Sequence, residues 1–80
     1  MKTILEDLRY EIGHGTYINA TTLYASINSQ LFAKLTIEES NLHISIVSTM
    51  CGVLDELIIP LSDHEKVIKE TIEYVEFFDT

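Results

Sequence analysis

Tryptophan is absent from this 80-residue chain, cysteine and proline occur once each, and glycine occurs three times. A lone thiol, Cys51, forms no disulfide within the chain, so the expected setting is a reducing, cytoplasmic one. The scarcity of Pro and Gly excludes the collagen-like and flexible-linker classes. Bases are few: five Lys and Arg stand against 13 Asp and Glu, a formal charge of −8. That balance argues against direct binding of nucleic acid or an anionic membrane. Apolar runs such as Leu57-Ile58-Ile59-Pro60-Leu61 are far too short for a membrane-spanning helix. The stretch Met1-Lys2-Thr3-Ile4-Leu5-Glu6-Asp7 reaches carboxylates before a signal-peptide core develops.

What is present is ordinary for a folded chain, with 46% apolar and 22% charged residues. The length suits one small domain, and no repeat or linker divides residues 1–80. The acid is unevenly spread. Residues 38–80 hold ten carboxylates against Lys66 and Lys69, while residues 12–33 hold no Asp, Glu, Lys or Arg.

The apolar periodicity predicts a helix over 2–12, with Leu5, Leu8 and Ile12 on one face and Gly13-His14-Gly15 closing it. Leu23, Ile27 and Leu31 recur at i, i+4, i+8 and predict a short second helix over 20–31. Residues 33–38, 42–48 and 54–61 alternate or are rich in Leu and Ile, and read as strands separated by turns. Ser62-Asp63-His64-Glu65 has the form of a capping box for a helix over 63–78. The expected fold is α+β: a three-stranded antiparallel meander packed against helices in two layers, in the order α(α)βββα.

Catalytic chemistry is not expected. His14, His43 and His64 fall in different elements without metal-ligand spacing, so neither a metal nor another cofactor is implied. A Cys51–His43 nucleophile pair is the nearest approach to a catalytic arrangement. Gly13-His14-Gly15 lacks the remaining glycines and the Lys of a phosphate loop. The expected element order invites comparison with double-stranded RNA-binding domains, but their lysine-rich helix is replaced here by an acidic one, so RNA binding is rejected.

The acid itself carries the functional expectation. Glu70, Glu73, Glu76 and Asp79 follow at steps of three along the last helix, toward the end where carboxylates oppose the helix dipole. With Phe77, Tyr10, Glu38, Glu39, Asp55 and Glu56 they form a candidate partner-binding set, in which charge steers encounter and aromatics anchor. The expected partner is a protein with a basic surface. Small size, a single domain, strong negative charge and no catalytic constellation resemble phage-encoded inhibitors of host defence, anti-CRISPR proteins among them. That resemblance implies a nucleic-acid mimic whose carboxylates stand where phosphates would sit. The alternative is an assembly module that forms a homodimer or subunit contact through the low-charge segment 12–33, with Tyr17, Leu23 and Tyr24 as contacts.

Overall fold

A computed structural model describes residues 4–13, 15–19 and 21–79. The elements are α1 (Ile4–Ile12), β1 (Thr16–Asn19), β2 (Thr22–Ser26), β3 (Leu31–Glu38), β4 (Asn41–Ser48), β5 (Gly52–Pro60) and α2 (His64–Phe77). The five strands form one antiparallel meander in the order β1-β2-β3-β4-β5. The α+β class stands, but the three-stranded sheet does not, because β2 and the β2–β3 turn occupy the place of the helix expected over 20–31 and β1 lies just before it. The spacing that suggested that helix, four and eight residues, is also a multiple of two and fits a strand equally. The discriminating positions, Ser26 and Gln30 at i+3 and i+7 from Leu23, are polar. Thr and Tyr in Thr16-Tyr17-Ile18 and Thr22-Leu23-Tyr24 favour a pleated surface over a helix.

An odd number of antiparallel strands makes β1 and β5 run the same way, so the helices before and after them run side by side in the same sense. Both lie on one face of the sheet. Rows of side chains across the strands meet them: Ala25, Ala33 and Ile46; Leu23, Leu35, Ile44 and Leu57; Ile37, Leu42 and Ile59. Leu5, Leu8, Val67 and Val75 close this core from above. Leu23 is wholly buried in it, which removes it from the expected dimer contacts. Its neighbours Thr22 and Tyr24 point the other way, as pleating requires.

The helix ends follow from local chemistry. Gly13 has φ 90° and its amide donates to the Arg9 carbonyl at 2.9 Å, the left-handed closure that glycine permits. Helix α2 is capped by Asp63, whose side chain accepts from the Lys66 amide. The cap is therefore one residue later than the expected Ser62 box. The Asp carboxylate meets the positive end of the helix dipole, a stronger match than a hydroxyl. His64 Nε2 lies 2.6 Å from Asp7 Oδ2 and ties the start of α2 to α1.

Candidate docking surface

Among the described residues, helices cover one face of the sheet and leave the other bare. Its side chains are set by register. Tyr17, Tyr24, Lys34, Ser45 and Glu56 form one row across all five strands. Ser26, Phe32, Val47 and Val53 form the next, and Thr22, Thr36, His43 and Ile58 flank the first on its other side. The middle of this face, from Tyr24, Phe32 and Thr36 across to Val53 and Glu56, is a shallow dish of about 490 Å³, and Tyr17 and Ile58 lie on the same face outside its lining. In the interior of a sheet such a face is normally solvated and polar. Here Tyr17, Val53 and Ile58 are 62%, 57% and 60% exposed, an apolar content greater than a solvated face needs.

The open face has two halves. On the apolar half, the Tyr17 and Tyr24 rings stack at 6.3 Å, and Phe32 continues the ladder at 6.3 Å from Tyr24. Val47 and Val53 extend it toward β5. On the polar half, His43 is half-buried with a carboxylate on each side. Its Nδ1 lies 3.6 Å from Glu38 and its Nε2 3.4 Å from Glu56. Beyond Glu38 the β3–β4 turn places Glu39 at φ 56°, a left-handed conformation uncommon for a residue with a Cβ. Rings can anchor a partner, and carboxylates gathered beside them favour a cationic one.

This face joins residues that the sequence assigned to rival roles. Glu38 and Glu56, from the acidic set, share it with Tyr17 and Tyr24, from the dimer set, and Glu39 stands at its rim. The rest of the acidic set is elsewhere. Asp55 points to the helix side, where its carboxylate accepts the Tyr74 hydroxyl at 2.8 Å. Burial, that hydrogen bond and the nearby charges of Asp55 and Glu56 together hold the Tyr74 phenol well above the ordinary tyrosine range.

Glu70 and Phe77 share the β5 flank of α2 with Tyr74, at helical spacings of four and three. Glu76 and Asp79 lie on the opposite flank, in a cleft with Glu11 and Ile12 of α1. Glu73 faces away from the sheet. Phe77 is 73% exposed and its ring meets Phe78 edge-on at 5.2 Å, while Tyr10 is 83% exposed on α1. Among the described residues Glu73, Glu76 and Asp79 make no ion pair, and Lys66 reaches Glu70 at 3.9 Å. The helix acids therefore wind around α2 and do not build one surface with Glu38 and Glu56.

The open face also holds residues absent from the sequence-derived set: Lys34, His43, Val47 and Val53 line the dish, and Ile58 lies beside it. The signal was available in part, since the alternation that buries Leu42, Ile44 and Ile46 turns His43, Ser45 and Val47 outward. The contribution of β5 was not, because a bulge between Ile46 and Val47 inserts Leu54 and resets its parity. The Cys51–His43 pair is not formed. Cys51 lies in the β4–β5 turn, and His43 is five strand residues before Ser48, about 17 Å of chain. His14 falls outside the described residues.

Comparison with known protein families, curated proteins and solved structures returns no match. Among the described residues no helix is long and apolar enough to cross a membrane, and no group of His, Cys, Asp and Glu is arranged to hold a metal ion.

Proposed function

We propose that this chain is a non-enzymatic binding protein that docks a basic, partly apolar surface of a partner protein against the open face of its sheet. The observation that carries the reading is the juxtaposition on that face of the Tyr17–Tyr24–Phe32 ladder with the carboxylates of Glu38 and Glu56. The ladder provides area at low cost in side-chain entropy, and the carboxylates select for positive charge. The acids of α2 add long-range attraction and remain hydrated. In its narrower form the partner uses the same basic surface to hold nucleic acid, and Glu38, Glu39 and Glu56 take positions otherwise held by phosphates.

The test is affinity capture from the native source at low and high salt, with wild type and the Glu38→Lys/Glu56→Lys double variant. Wild type should retain its partner at low salt and release it at high salt. The double variant should bind at least about tenfold more weakly. A parallel Glu73→Lys/Glu76→Lys variant should change affinity far less. Equal loss in both variants would assign the docking to bulk charge and remove the open face from it. Competition by an oligonucleotide for the captured partner tests the narrower form.

A second reading rests on the same ring ladder: a second copy of the chain covers the apolar half through Tyr17 and Tyr24. Light scattering at micromolar concentration separates the two, because this reading requires a dimer that Tyr24→Ser dissociates.

A further inference from the structure

The sheet has two edges of different character. Strand β1 is four residues long, whereas β5 runs for nine, and its outer side faces no strand of the described chain. A long edge with exposed Val53, Leu54 and Ile58 presents a row of backbone donors and acceptors to any extended chain. The side chains around it are acidic on both sides of the sheet. Glu56 projects onto the open face, and Asp55 projects to the helix side, where it meets Tyr74 of α2 while Glu70 lies beside Ile59 and Pro60 at the end of the strand.

We infer that the outer edge of β5 accepts an extended basic segment of the partner protein as a sixth strand of the sheet. The inference rests on the docking reading above and names its mode. Alternation then does two jobs at once. One set of partner side chains joins Val53, Glu56 and Ile58 on the open face, and the other lies beside Asp55 and, toward the strand end, Glu70 on the helix side. Lysine or arginine beside Asp55 and Glu56, with apolar residues beside Val53 and Ile58, fits both sides.

A second copy of β5 fits poorly. Antiparallel self-pairing over the whole of Gly52–Pro60 sets Glu56 opposite its own copy, and like charges directly opposed are destabilising. Pro60, which has no amide to donate, limits the usable edge at its C-terminal end.

A short capped peptide with two adjacent lysines flanked by valines is the probe, so that one lysine falls on each side of the added strand, and its control is the same peptide N-methylated at its backbone amides. Charge and side chains match in the two, and only the control cannot donate backbone hydrogen bonds. With the full chain, the first peptide should slow hydrogen exchange at β5 amides by about tenfold or more, and N-methylation should weaken binding by a similar factor. Glu56→Lys should abolish the protection while leaving exchange in α1 and β2 unchanged. Equal binding of both peptides, or unchanged exchange along β5 with the first peptide bound, overturns strand addition. So does failure of both peptides to bind. The docking reading survives each of those results if partner capture still depends on Glu38 and Glu56.

Discussion

The two faces of this sheet come from the same strands and the same alternation, yet they obey different rules. On the covered face Leu23, Leu35, Ile44 and Leu42 are fully buried under α1 and α2, and their value is packing. On the open face the corresponding positions hold Tyr24, Lys34, His43 and Ser45, only partly covered by neighbours. The covered face is a solved problem of burial. The open face keeps rings, valines and an isoleucine in water together with carboxylates, at no evident gain to folding. A surface that a fold does not need, maintained beside an ordinary core, is where binding is to be sought.

That contrast can be broken most directly by truncation. Ile44→Ala should destabilise the protein by about 2–5 kcal/mol, a cost of buried volume, whereas Tyr24→Ala should cost about 1 kcal/mol or less, a cross-strand pair term. Urea unfolding measures both, and equal costs would make the open face part of the core. Next in size is the cap: Asp63→Ala should cost about 1 kcal/mol by leaving the Lys66 amide without its partner.

The covered face has one imperfection. Among the described residues the buried Thr71 hydroxyl of α2 has no hydrogen-bond partner. Thr71→Val keeps the shape, removes the unmet polar group and should stabilise by about 1 kcal/mol. An increase in thermal midpoint checks it, and a decrease would reveal a partner for the hydroxyl.

The smallest effect concerns pH. Burial and then Asp55 raise the Tyr74 phenol above its ordinary value, so the folded chain keeps a proton that the unfolded chain gives up. Unfolding then releases a proton, and stability falls as pH rises above about 10. Stability measured from pH 9 upward should decline less steeply in Tyr74→Phe.

Much of this was legible residue by residue. The terminal helix and the β3 and β4 strands follow from periods of 3.6 and two, and Gly13 closes α1 as glycine must at φ 90°. The region 16–31, with Leu23, Ile27 and Leu31, was not legible by the same means. Its spacing of four suits either period, and a short helix and a hairpin compete there on tertiary contacts that no local pattern contains. The acidic set failed for a related reason. Proximity along α2 is not proximity in space, since successive steps of three turn Glu70 and Glu76 to opposite flanks.

Composition alone decided that the chain is acidic, without an internal disulfide and large enough for one core, because those properties depend only on which residues are present. Alternation decided that each strand has two unlike sides. Only the tertiary structure decided which side the helices cover, and so which residues are left in water. The reason is physical: register and the β5 bulge set which side chains stand in one row, and the return of both helices to one face leaves Tyr17, Tyr24, Glu38 and Glu56 together on the other.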